Sequence, residues 1–233
     1  MKKNIISLLL VLIFISFLSY GFFQASSASL KDNVGEFYVE RGVEDTGAIN
    51  LVAAILFDYR AFDTLGEATV IYTAVSLVMS IAPFLGASLT RTELNPLAGR
   101  SMGLALPLLM ISALYIVFYG HLFPGGGFPG GVIFAAGAAA FGLTYGLPSL
   151  KHKLEPHSLH LLDETGAGAL IVLGLTGIMA GNNFLASGQA GIYLGEPGEL
   201  LSSGLIPLFN LAIAVKVGTG LTLVFLSFAR GDR

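Results

Sequence analysis

Gly204-Leu-Ile-Pro-Leu-Phe-Asn-Leu-Ala-Ile-Ala-Val-Lys-Val-Gly-Thr-Gly-Leu-Thr-Leu-Val-Phe-Leu-Ser-Phe228 contains a single charged side chain, Lys216. At about 1.5 Å per residue a helix of this length reaches about 37 Å, more than the roughly 30 Å hydrocarbon layer of a bilayer. Runs of the same kind recur at Ile5–Phe23, Gly66–Ser88, Ser101–Tyr119, Val132–Leu147 and Thr165–Gly181. Together they predict an all-α integral membrane protein with about six transmembrane helices. The composition agrees. Hydrophobic residues make up 54% of the 233 and charged residues 12%, against roughly 25% charged in soluble domains. A soluble domain could not hide that much apolar surface, whereas lipid solvates the outer face of a membrane-embedded one. The 30 glycines suit close helix approach in a bilayer and follow no collagen-like period.

The chain has no cysteine, which excludes disulfides, thiolate nucleophiles and thiolate-held iron–sulfur clusters or haem. A net charge of -3 without a basic patch excludes nucleic acid as a partner. No cofactor motif and no metal-ligand set is present. His152, His157 and His160 share one polar segment, but no cysteine or well-placed acid completes a site, so they read as an interfacial loop.

Three regions depart from simple spans. Met1–Lys3 is basic and precedes the Ile5–Phe23 run, with Ala25-Ser26-Ser27-Ala28 as a possible cleavage site for a signal peptide. The run exceeds the 7–15 residues or so of a signal core, which favours a retained helix. Ala48–Phe57 is too short to cross the membrane and is expected to form an interfacial or half-buried helix. The stretch His121-Leu-Phe-Pro-Gly-Gly-Gly-Phe-Pro-Gly-Gly131 is too rich in proline and glycine to continue a helix and is expected to be a broken loop. The Leu89–Arg100 loop separates a two-span part (1–90) from a four-span part (101–233). No internal repeat is evident, so six spans suit a subunit of a larger complex better than a free-standing carrier.

Basic residues set the orientation. With the N-terminus in the cytoplasm, Lys2, Lys3, Arg91, Arg100, Lys151, Lys153, Arg230 and Arg233 lie inside. Lys31, Arg41 and Arg60 lie outside, and Lys216 lies within a span. Both termini are then cytoplasmic. A full crossing by Ala48–Phe57 would reverse most of that asymmetry.

Lys216 is the sharpest candidate for function. A charge near mid-span needs a partner, a carbonyl or water, and a lysine so placed can exchange its proton. It reads as a proton-relay or ion-path residue, or as a lysine paired with a carboxylate of a neighbouring subunit. Glu67 falls in the first turn of the second span, where a carboxylate also caps a helix. With Asp58 and Asp63 it could offer hard oxygen ligands to a passing cation. His121 can exchange protons near neutral pH, while Pro124, Gly125, Gly126, Gly127 and Gly130 form a turn that packs helices closely or lines a cavity. Asp163-Glu164 reads as the cap of the fifth helix.

On these motifs the chain resembles a known family. Residues 101–228 are similar to the MrpB/MnhB subunits of multisubunit sodium/proton antiporters. The likeness rests on the 121–131 run, Asp163-Glu-Thr-Gly-Ala167, Gly195-Glu-Pro-Gly-Glu-Leu200 and Asn210 through Lys216-Val-Gly-Thr-Gly220. Gly42–Ser80 resembles the two-span MbhE-type domain through Ala54-Ile-Leu-Phe-Asp-Tyr-Arg-Ala-Phe-Asp-Thr-Leu-Gly-Glu67. The resemblance implies a cofactor-free subunit of an Mrp-type antiporter or of a related respiratory complex, such as a hydrogenase or sulfur reductase. The partners would be other membrane subunits, Na+ and H+. It also implies that Glu67, His121 and Lys216 lie near ion paths. The alternative role is a structural linker between antiporter-like and redox-linked subunits.

Overall fold

The computed structural model describes residues 11–17, 19, 20, 23, 33–82 and 96–229. All regular structure among them is helical. Residues up to Phe37 and residues from Tyr38 onward form two compact units. In the first unit, the described residues between 11 and 23 are helical and exposed. The rest of the expected first span lies outside the described residues, as do the basic residues of both termini and the whole of the 83–95 connection.

The elements are α1 (Val34–Thr46), the short α2 (Leu51–Ala54), α3 (Ala61–Ile81), α4 (Pro96–Phe118), α5 (Gly127–Tyr145), α6 (Leu147–Lys153), α7 (Pro156–Met179) and α8 (Ile206–Phe228). Five of them, α3, α4, α5, α7 and α8, are long and apolar enough to cross a membrane. The most buried of these is α8, against which α5, α7, α3 and α4 pack.

Glycines let the backbones meet. A Cβ on Gly131 of α5 would sit 2.9 Å from the Ala214 carbonyl oxygen, and one on Gly166 of α7 would sit 2.9 Å from the Lys216 nitrogen. Both lie below any ordinary contact, so these helices touch α8 backbone to backbone, as close-packed membrane helices do.

The helix boundaries correct several expectations. The Gly/Pro-rich run is a turn only as far as Gly126. From Gly127 it is helical, so α5 begins five residues before the expected Val132. Proline is tolerated in a first turn because its missing N–H would lack an intrahelical partner anyway, and Pro129 stands there. The Asn210 side chain accepts the Gly127 N–H at 2.8 Å, which caps the helix from outside. The helix α7 begins at Pro156 rather than Thr165, with the proline again in the first turn. Asp163 and Glu164 therefore lie about two turns inside α7 and do not cap it. Likewise α3 begins at Ala61, which puts Glu67 in its second turn.

Among the described residues Ala48–Phe57 is not part of a helix long and apolar enough to cross a membrane, but neither is it an ordinary surface helix. After α2 the backbone widens into a π-turn, Ile55–Tyr59. There the Arg60 N–H bonds the Ile55 carbonyl at 2.7 Å, which leaves the Leu56 carbonyl to accept the Thr64 hydroxyl at 2.6 Å. Ala48, Ala53, Ala54 and Phe57 are buried with Phe209 and Ile213 of α8 in one apolar core. The Asn50 side chain caps α2 and also donates to the carbonyls of Gly120 and Phe123, stitching this segment to the α4–α5 turn.

Gly131→Leu is expected to lower the stability of the detergent-purified protein by about 1–3 kcal/mol, the usual cost of overpacking. Gly168→Ala, where a Cβ meets open space, is expected to raise it by up to about 1 kcal/mol through helix propensity. Thermal unfolding of the two variants checks both signs.

Candidate functional site

Lys216 lies midway along α8 and is 1% exposed. Its ammonium needs a counter-charge, and α7 supplies one: Nζ donates to Asp163 Oδ1 at 2.5 Å. The partner expected from a neighbouring subunit is thus found within the chain. Nζ also lies 4.5 Å from the centre of the Tyr72 ring on α3, close enough for a cation–π contribution. Three helices therefore converge on one charge. Small residues permit it, since a Cβ on Gly220 would come within 3.0 Å of Asp163 Oδ1.

Beside the pair is a cavity of about 80 Å³, lined among others by Thr64, Glu67, Gly126, Phe128, Asn210 and Lys216. That volume exceeds the roughly 10–15 Å³ needed by one water molecule on this measure. Helical spacing explains the lining. Asn210, Ile213 and Lys216–Val217 recur every three to four residues on one face of α8, and Thr64, Glu67–Ala68 and Ile71 do so on α3. Two of the expected ion-path residues, Glu67 and Lys216, thus face one space, although they are far apart in sequence. Glu67 itself is exposed in the isolated chain, so it sits at the rim while Lys216 lies deep.

Asn210 was not singled out from the sequence as a site residue. It is fully buried. Its Oδ1 holds Gly127, and its Nδ2 has no hydrogen-bond partner. A buried donor without a partner is costly, so this amide marks the cavity wall as a place where a water acceptor is needed. An Asn inside an apolar run was the available signal.

The other candidates go elsewhere. Asp58 accepts the Ser187 and Gly188 N–H groups, one per carboxylate oxygen, at 3.0 Å each. It anchors the 182–205 connection. Asp63 pairs with Arg60 on an exposed face. The three acids Asp58, Asp63 and Glu67 therefore do not converge into one ligand set. Among the described residues no group of three or more His, Asp or Glu side chains could hold a metal ion.

His121 is also fully buried, in the α4–α5 turn under the 182–205 connection. Nε2 lies 3.3 Å from the Glu199 carbonyl, and Nδ1 has no partner. Burial pushes its pKa below the ordinary 6.5, against an upward pull from the Glu199 backbone. The turn glycines Gly125, Gly126 and Gly127 line the cavity, whereas Gly130 packs against α4 at Val117.

Residues 97–223 match the family described as a domain related to the MnhB subunit of Na+/H+ antiporter. The chain belongs to that family. Residues 3–85 match a second family, MbhE. The cavity of this MnhB-related chain takes Glu67 and Thr64 from the MbhE segment and Asn210 and Lys216 from the MnhB segment. A similar solved structure is a chain of the membrane-bound sulfane sulfur reductase, an archaeal respiratory membrane complex. It has 28% identity and a TM-score of 0.74, with full coverage of both chains. A chain of the Mrp complex from Dietzia sp. DQ12-45-1b is 25% identical with a TM-score of 0.67; the match covers all of this chain and 26% of that one. A Rhizobium meliloti protein, named as a probable K(+)/H(+) antiporter component, is 26% identical over 230 residues, which are 86% of this chain and 22% of that protein.

Asp163→Leu or Lys216→Met alone is expected to destabilise the protein by about 3–5 kcal/mol, because each leaves one buried partner unmatched. The double variant Asp163→Leu/Lys216→Met is expected to recover most of that loss in a thermal-unfolding cycle. His121 contributes in the opposite pH sense to a paired histidine. With its folded pKa depressed, the unfolded chain takes up the proton first as pH drops through 6.5. Stability is expected to fall as the pH is lowered from there towards the folded pKa, and His121→Gln is expected to flatten that slope.

Proposed function

We propose that this MnhB-related chain serves as a non-catalytic membrane subunit of an Mrp-type Na+/H+ antiporter module and carries part of its proton pathway through the cavity between α3 and α8. The observation that supports this is the sharing of one water-sized space by Glu67 and Lys216. A carboxylate at the rim and a lysine–aspartate pair at the base can pass a proton through intervening water, because each can hold or release one. Asn210 would orient that water, and His121 would lie behind the α4–α5 turn as a second protonatable group.

The full-length likeness to a chain of a respiratory complex favours a respiratory setting, in which this protein neighbours other membrane subunits. Both the Mrp chain and the Rhizobium protein are much longer than this one. On this reading the MbhE-like residues from Tyr38 onward and the MnhB-like part work as one packed unit, since the cavity draws on each. Within the described residues, Arg100, Lys151 and Lys153 belong to the end of the bundle opposite Arg60, which supports a cytoplasmic location for that basic end.

The second reading is a structural linker. It is favoured by the Asp163–Lys216 bond itself, which fixes α7 to α8 whether or not protons move. Glu67→Gln separates the two, since it is exposed and isosteric and leaves the buried pair intact. In the assembled complex, Glu67→Gln and Lys216→Ala are expected to lower cation-dependent proton transport by at least an order of magnitude, the scale of a positioned proton-transfer group. Unchanged transport in a complex of normal composition would leave the linker.

A further inference from the structure

We propose that the groove between α4, α5 and α6 is a binding site for an anionic phospholipid, with one acyl chain in the groove and the phosphate on the basic rim of Lys153, Lys151 and Arg100. The groove has a volume of about 410 Å³ and its walls are apolar, among them Leu106, Met110, Phe134, Phe141 and Leu154. Among the described residues Lys153 is the one charged residue in its lining, and no carboxylate belongs to that lining. Its Nζ lies 5.8 Å from the centre of the Phe141 ring, over the apolar wall.

The rim is built where three helix ends meet. The Tyr145 hydroxyl donates to the Gly99 carbonyl at 3.3 Å, bringing the end of α5 to the start of α4, where Arg100 stands exposed. Lys151, His152 and Lys153 form the last turn of α6, directly after. Glu155, the nearest acid in sequence, lies beyond this turn and accepts the Ser158 hydroxyl. A basic pocket at the edge of a helix bundle is the usual form of an anionic headgroup site.

The extent of the groove suits a lipid tail, and its basic rim suits an anionic headgroup. From Tyr145 to Phe134 it follows α5 for eleven residues, or about 16 Å. That is about half of the roughly 30 Å hydrocarbon thickness, the reach of a chain in one leaflet. The floor can also adapt. Gly137 lies against the terminal methyl of Met110, and methionine re-packs around irregular ligands more readily than a branched side chain.

The test uses the complex containing this chain, reconstituted in phosphatidylcholine vesicles doped with phosphatidylglycerol, re-extracted and weighed by native mass spectrometry. The native complex is expected to retain phosphatidylglycerol. Lys151→Gln/Lys153→Gln is expected to reduce that retention roughly 25-fold, about fivefold for each basic residue lost near an anionic group. Gly137→Leu, which fills the groove, is expected to abolish it. If Gly137→Leu prevents assembly, the lysine variant decides alone, because its side chains lie at the rim and support no core. Retention unaffected by the two lysine substitutions overturns the site. So does a Met110→Cys variant that crosslinks to a neighbouring protein of the complex and escapes labelling by a photoactivatable phosphatidylglycerol.

Discussion

An ammonium group in the middle of a membrane-spanning helix is the constraint around which this chain is arranged. Lys216 cannot sit on α8 without a counter-charge, and its counter-charge comes from α7. Several features follow from that need. The helix α7 starts at Pro156, early enough for Asp163 to lie two turns inside the bundle. Gly166 and Gly220 stand beside the pair because a Cβ at either would collide with the partner helix or the carboxylate. Tyr72 from α3 closes the third side with the face of its ring. The bond is therefore a packing decision as much as an electrostatic one.

The bundle is asymmetric about α8. At Gly131 of α5 and Gly166 of α7, glycines bring backbone against the backbone of α8. On the side of α3 the faces stand apart, and the cavity opens there. The 182–205 connection shares in this order despite having almost no regular structure. The Ser187 and Ser202 side chains hold part of its backbone from within, the Ser203 N–H donates to the Leu194 carbonyl, and Asp58 holds it from outside, with His121 buried beneath it.

Much of the architecture was readable because lipid imposes long apolar runs, and the five described spans fall where those runs lie. Their ends were less legible. His157 and His160 made the start of α7 look like a polar loop, yet a helix that emerges from the bilayer can carry polar side chains without breaking. The Gly/Pro-rich run looked unable to form a helix, but proline and glycine in a first turn do little harm, and the Asn210 cap lies 83 residues away. Lys216 and Glu67 stood out as charges set in apolar surroundings. The partners did not. Asp163 is 53 residues from Lys216, and Asp58 reaches a loop some 130 residues on. Single-residue reasoning detects that a group needs a partner but not which one folding delivers.

The π-turn before α3 has a further effect. Because the Arg60 N–H bonds Ile55, the Leu56 carbonyl accepts the Thr64 hydroxyl. That same threonine lines the cavity. Water arriving there competes with the hydroxyl for the carbonyl, so the wetness of the cavity and the tilt at which α3 leaves the turn are thermodynamically joined. The Glu67 carboxylate, one helical turn further along, rides on whichever tilt prevails.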